Sequence, residues 1–138
     1  MKNSPAATRW ASWAPYLLSA LRIVAAFGFM QHGITKLFAF PNGMGPGNAT
    51  ATLWTQIWVA GVLEAFGGAL LLLGLFTRPV AFLVSGEMAV TYFQAHAPRG
   101  FWFSMNGGET AVLFCFIWLY FSSVGAGPWS VDEMMKKK

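Results

Sequence analysis

The sequence predicts an all-α protein, an integral membrane four-helix bundle with almost no soluble mass, and three observations carry that prediction. Hydrophobic residues make up 56% of the chain and charged residues only 10%, against about 45–50% and 25% in ordinary soluble domains. A soluble domain of this length needs a charged surface that these residues cannot build. The apolar residues gather in four long blocks, each near the roughly 20 residues a membrane helix requires, rather than in a period-2 or narrow-stripe pattern. Six of the seven tryptophans fall near block ends: Trp10 and Trp13, Trp54 and Trp58, Trp102 and Trp129. That is the placement of an interfacial aromatic belt. Only Trp118 lies well inside a block.

The first helix is predicted over residues 16–40, with Pro15 at its start, where a missing N–H costs nothing. The basic, then apolar, N-terminus has the outline of a signal peptide. Arg22 interrupts the run early, however, and no small-residue cleavage pattern closes it, so the helix reads as retained. The Gly/Pro-rich run Pro41–Asn48 is a loop. The second helix is predicted over 53–76, and Thr77-Arg78-Pro79 forms a tight connection to the third, over 80–97. Ala97–Ser104 separates that helix from the fourth, over 107–124, which the Gly125–Pro128 stretch ends. Asp132–Lys138 reads as a solvated tail whose lysines can touch anionic membrane lipid. Residues 1–138 form one domain. With four spans, one side carries Lys2, Arg9, Arg78, Lys136, Lys137 and Lys138, and the other only Lys36 and Arg99. Six against two places both termini in the cytoplasm and the protein as a multi-pass component of a bacterial-type inner membrane.

Ionisable residues at membrane depth cost about 2.5–3.5 kcal/mol each at a helix centre, so they persist only when paired or useful. Arg22, His32 and Lys36 share the first helix. At about 100° per residue, His32 lies about 80° and Lys36 about 40° from Arg22, giving one inward polar stripe. Gly28 and Gly33 on that helix allow a neighbour's close approach. Glu64 lies on the second helix among Gly61, Gly67 and Gly68, and Glu87 on the third with Thr91 and Gln94 near it on the wheel. By depth, Arg22, Glu64 and Glu87 form a midplane group. His32, Lys36, His96, Asn106 and Glu109 collect above it in a polar vestibule toward the outer end.

Each residue also has a plainer role. Arg22 with Glu64 or Glu87 can be a structural ion pair. Glu109, three residues after Asn106, has capping-box spacing. Lys36 can snorkel to the surface. His96 stands about 180° from Glu87, so it faces away or lies where Pro98 has broken the helix. His32, beside Gly33 and four residues before Lys36, is the leading ligand-binding candidate, with a histidine bonded to a core carboxylate as its rival. The angular mismatch of His96 argues against a bis-histidine haem, and no metal-spaced cluster, phosphate-cradling loop or Ser-His-Asp arrangement is present. The lone Cys115 forms no intrachain disulfide, dithiol or iron–sulfur site and reads as a small buried apolar side chain. The basic tail is too short and too close to the membrane to indicate nucleic acid.

Five motifs in this order resemble the DoxX family of small membrane proteins: Arg22-x5-Gly28-x3-His32-Gly33-x2-Lys36-Leu37; Glu64-x2-Gly67-Gly68 running on to Thr77-Arg78-Pro79; His96-x-Pro98-x-Gly100-Phe101; Asn106-Gly-Gly-Glu109; and Gly127-Pro-x-Ser130-x-Asp132. The resemblance implies a four-helix membrane fold. It also implies kinship with subunits of quinone-linked oxidoreductases, including small subunits of thiosulfate:quinone oxidoreductases, some of which associate with soluble redox enzymes. Related membrane proteins act instead as chaperones or cargo receptors.

Three functions follow as expectations. The favoured one is a quinone-interacting subunit. In it Arg22, His32 and Lys36 supply donors, and Glu64, Glu87 and Glu109 relay protons. Some of the 13 phenylalanines and 7 tryptophans line a ring pocket, and a redox partner subunit supplies electrons. The second is a non-catalytic assembly, chaperone or accessory protein with a structural polar core. The third is a small-solute transporter, which at four helices requires a homo-oligomer for alternating access.

Overall fold

The structure, a computed structural model, describes residues 5–137. Lys2 and Lys138, which enter the charge asymmetry above, lie outside the described residues. Helix α1 spans Pro5–Phe38. Gln56–Val62 and Gly68–Leu73, joined by a π-helical turn at Leu63–Gly67, run as one helix, α2. Helix α3 spans Thr77–Thr91 and continues as a π-helical turn over Tyr92–His96 and a 3₁₀ turn over Ala97–Arg99. A single turn, α4 (Phe103–Asn106), leads to α5 (Glu109–Val124) and then to α6 (Val131–Lys136). The described chain is all-helical, with one isolated antiparallel bridge between Met44 and Ala49 in the α1–α2 loop.

Two segments, Arg9–Phe38 and Gln56–Leu73, are long and apolar enough to cross a membrane, with mean hydropathies of 1.4 and 1.7. Only 28% of either apolar window is buried inside the molecule. A soluble core helix of that composition would be mostly covered; here the side chains face outward. Helix α5 is apolar too, though shorter at 16 residues.

The core follows a period near 3.5 on α1. Ser19, Arg22, Ala26, Phe29 and Gly33 are its buried positions, spaced three and four apart, which keeps one face toward a neighbouring helix. Helix α3 buries Thr77, Ala81, Val84 and Met88 in the same rhythm against Ala111, Trp118 and Phe121 of α5. Phe29 bridges the two halves, meeting Phe114 edge-on at 5.3 Å and Trp118 at 5.6 Å between ring centres. Glycine sets the α1–α2 distance. A Cβ on Gly33 would lie 2.3 Å from the backbone nitrogen of Ala65 and 2.6 Å from the Gly61 carbonyl oxygen. The two helices thus meet backbone to backbone, as small residues permit in membrane helix pairs. Gly28 has no such role: its nearest neighbour would be the Phe114 ring at 3.8 Å.

Three sequence expectations are corrected. Helix α1 starts near Pro5 rather than Tyr16, so Pro15 lies inside it; Pro5 occupies the first turn, and helix-tolerant residues fill the stretch to Pro15. The tail from Asp132 is not simply solvated, because Ser130 caps α6 by accepting from the Glu133 N–H at 3.2 Å. The Asn106–Glu109 capping box is absent. Asn106 accepts from the Gly108 N–H at 2.8 Å and donates to the Gly100 carbonyl at 2.8 Å, leaving Glu109 exposed on the first turn of α5.

Candidate functional site

Lys36 extends the buried stripe of α1 by one step beyond Gly33, and its side chain turns toward α2. There Nζ donates to both carboxylate oxygens of Glu64. Glu64 is only 1% exposed and sits on the π-helical turn of α2. Such turns insert a residue into the helix and recur at functional sites. Gly61 makes the pairing possible: the Lys36 Cβ would lie 3.1 Å from a Cβ placed there. Pairing satisfies both groups, whereas removing Lys36 leaves the Glu64 carboxylate buried and uncompensated, and removing Glu64 leaves a half-buried ammonium without its counter-ion.

Glu87 stands one residue before Met88 of the α3 stripe, so it leaves the α3–α5 core and turns toward α2. Its Oε1 accepts from the Thr91 hydroxyl at 2.9 Å. Its Oε2 is buried with no hydrogen-bond partner, a state expensive enough to require an explanation. The charges of Glu64 and Lys36 act on Glu87, so the three form one electrostatic group. Glu87 and Thr91 line a groove of about 450 Å³ between α2 and α3, whose apolar walls include Leu63, Phe82 and Val90. Gln56 lines it as well and donates its side-chain amide to Gln94. Gly86 opens the groove: a Cβ there would meet nothing within 4 Å. A helical glycine costs about 1 kcal/mol relative to alanine, and no packing within the molecule accounts for this one.

Arg22 does not join this group. It is fully buried near the opposite end, where Nε donates to the Ala126 carbonyl at 2.9 Å and Nη1 to that of Leu72 at 2.8 Å. The carbonyls of Leu71 and Trp129 accept from Nη1 and Nη2. The guanidinium thereby caps the C-terminal turn of α2 and clamps the loop after α5. The expected Arg22–Glu64–Glu87 midplane group is therefore corrected. Arg22 lies 14 residues before Lys36 on one helix, about 21 Å along its axis, and backbone carbonyls satisfy it. Asp132 completes the clamp by accepting from the N–H groups of Phe76 and Thr77 at 2.8 and 2.9 Å, which caps α3. Burial pushes the Asp132 carboxyl up, but these bonds outweigh it and hold it below the ordinary value.

The remaining expected residues are scattered. His32 lies about 40° from Lys36 on the wheel, off the buried stripe, exposed, with its ring edge-on to Phe114 at 6.1 Å. His96 stacks on Tyr92 at 6.5 Å, with Nδ1 3.3 Å from the Asn106 carbonyl oxygen; the π-helical turn and Pro98 have rephased it. Glu109 is exposed. Cys115 is free and half-buried beside Ser85, whose hydroxyl donates to the Cys115 carbonyl at 2.8 Å. The described residues hold no group of three His, Cys, Asp or Glu suited to a metal ion. Gln56 and Gly86 line the groove without having been anticipated. Gly86 carried a signal, as a glycine inside a helical pattern with no turn to make.

The DoxX family profile matches residues 17–97. The chain belongs to the DoxX family. It is 46% identical over 129 residues to an uncharacterized protein of Haemophilus influenzae, covering 91% of this chain and 96% of that one. It is 30% identical over 142 residues to an uncharacterized membrane protein of Mycobacterium tuberculosis, covering 90% and 84%. No solved structure matches it. The DoxX match takes in α1 from Leu17 onward, α2 and α3, and so Arg22, Lys36, Glu64 and Glu87. Asn106, Glu109, Ser130 and Asp132 fall after it. With its outward-facing apolar helices, this DoxX chain is a small membrane protein.

Proposed function

We propose that this protein crosses the membrane four times with both termini in the cytoplasm. It serves as the membrane subunit of a quinone-linked oxidoreductase and holds the quinone head between α2 and α3. Support for four spans comes from α3 and its π-helical continuation, 15 and 5 residues, and from apolar α5. The single observation that carries the functional reading is the buried, unpartnered Oε2 of Glu87 on the wall of an apolar groove. The groove volume suits a small-molecule head, and Gly86 leaves it open.

A bound quinone supplies a two-electron, two-proton acceptor. Glu87 is suited to its oxygens because a carboxyl group accepts from a hydroxyl when ionised and donates to a carbonyl when protonated. Thr91 holds the other Glu87 oxygen and fixes the carboxyl plane. Gln56 at the far end of the groove offers an amide donor to a second ring oxygen. The Lys36–Glu64 pair sets the local field and holds the α1–α2 wall in place. The single cysteine offers no dithiol, so electrons come from a redox partner subunit. Arg22, His32, His96 and Glu109, which the sequence reading grouped with the site, are assigned no contact with the ring.

The second reading is an accessory protein with a structural polar core. It is favoured by the four bonds from Arg22 to backbone carbonyls and the mutual pairing of Lys36 and Glu64. Quinone analysis of protein extracted with its native lipids separates the two. The quinone reading expects a stoichiometric amount in wild type and its loss in Gly86→Leu, with helicity retained and melting temperature not lowered. Equal trace amounts in both would leave the accessory reading.

A further inference from the structure

A second groove, of about 670 Å³, lies at the other end of the molecule. It is enclosed by the α2–α3 turn, the loop after α5, and α6. Its wall includes Leu18, Val124 and Met135, and its rim carries Arg78, Lys136 and Glu133. Asp132 also lines it, but both oxygens of that carboxylate are committed to the backbone N–H groups of Phe76 and Thr77.

The rim cations are under-used. The Arg78 guanidinium is exposed and makes one bond at the limit of length, Nη2 to the Val124 carbonyl at 3.5 Å. Gly125 keeps its place clear: a Cβ there would stand 3.4 Å from the arginine Nε. Lys136 has Glu133 as its ion-pair partner, 3.4 Å away, and its own side chain is well exposed. Two cations, Arg78 and Lys136, and two carboxylates, Glu133 and Asp132, thus line the groove; the Asp132 oxygens are taken up by backbone N–H groups, and the Arg78 donors are left for a ligand. A phosphodiester carries one negative charge and matches the fork of an arginine.

The depth of the groove also fits a lipid. The neighbouring loop carries Trp129, whose ring lies 5.7 Å from that of Tyr16, and Trp13 follows at 6.5 Å. Exposed tryptophan and tyrosine collect at the headgroup level of a membrane. A groove with a basic rim and an apolar wall at that level is built for a headgroup with its chains directed along the helices.

We propose that this groove is a binding site for one anionic phospholipid, with its phosphodiester on Arg78 and Lys136 and an acyl chain against Leu18 and Val124. The test is native mass spectrometry of the full chain in detergent, titrated with short-chain phosphatidylglycerol, phosphatidylcholine or inorganic phosphate. Wild type is expected to retain one phosphatidylglycerol roughly tenfold more strongly than phosphatidylcholine. Arg78→Gln should erase that preference without lowering the melting temperature of the lipid-free protein. Lys136→Gln, on an exposed side chain whose ion-pair partner is Glu133, should reduce the preference severalfold and provides the reading should Arg78→Gln fail to fold. Equal retention of the two lipids by wild type, or an unchanged preference in the variant that folds, would overturn the assignment. So would displacement of phosphatidylglycerol by an equal concentration of inorganic phosphate, which would mark a free-phosphate site.

Discussion

Lys36, Glu64 and Arg22 separate two kinds of buried charge. Lys36 and Glu64 hold each other, while Arg22 is held by carbonyl groups some 20 Å along α1. Lys36→Met and Glu64→Gln should each destabilise the protein, by about 3–5 kcal/mol for a broken buried pair, and the double variant should recover much of the loss. Arg22→Lys should also destabilise, because an ammonium has three N–H donors and no planar fork, and cannot satisfy four carbonyls. Its effect should add to that of Glu64→Gln within about 0.5 kcal/mol. Thermal-shift cycles read both results. At the tail end, the depressed Asp132 carboxyl contributes stability fully above the ordinary carboxylate range, near pH 4, and loses it as pH falls through its lower folded value. Wild type should therefore show an acid limb in its melting curve that Asp132→Asn flattens. At this scale Glu64, Glu87 and Lys36 stood out as charges inside apolar blocks, but Lys36 was set in the outer vestibule or at the surface, so its pairing with Glu64 was not legible. The partner of Arg22 was not legible. A carboxylate is the obvious partner for a buried arginine, and nothing in the residue string says that four backbone oxygens converge on one.

The α1–α2 contact and the π-helical turns decide where those residues point. Gly33 lets α1 touch the α2 backbone, and the turn at Leu63–Gly67 aims Glu64 at Lys36. Gly33→Leu should separate the helices and abolish folding or cost several kcal/mol, because the atoms in its way are backbone and cannot yield. Gly86→Ala, into open space, should instead stabilise by about 0.5–1 kcal/mol. Far-UV circular dichroism melts of the two variants check the contrast. The four apolar blocks were readable to within a few residues at most ends, since hydropathy sets them. The start of α1 was not, because Pro15 looked like a first-turn proline. The wheel position of His32 was misjudged, whereas His96 lies, as one of its two readings had it, where the helix has lost its regular phase. A stripe of period 3.5 leaves His32 at its edge, and a π-helical turn rephases everything after Thr91. The Ser130-x-x-Glu133 cap of α6 was present in the sequence as a capping-box signal and was read as tail.

At the scale of the whole molecule, two polar centres lie toward opposite ends of α1 and α2. The Arg22–Asp132 clamp ties the helix ends, and the Lys36–Glu64–Glu87 group backs a groove that opens between α2 and α3. If the four helices all span, single cysteines placed at Asn42 and Arg99 in a Cys115→Ser background should react with a membrane-impermeant maleimide added outside intact cells. One at Met135 should react only after lysis; labelling of Met135→Cys from outside would overturn the orientation. The central claim is that the α2–α3 groove receives a quinone head at Glu87. It is tested most directly by photolabelling membranes with an azido-quinone and mapping the cross-linked peptides by mass spectrometry. The proposal predicts label on residues 56–63 and 82–91, displaced by excess native quinone and lost in Gly86→Leu. Label confined to the α1–α5 face around His32 and Phe114, or label in the groove that excess quinone does not displace, would contradict it.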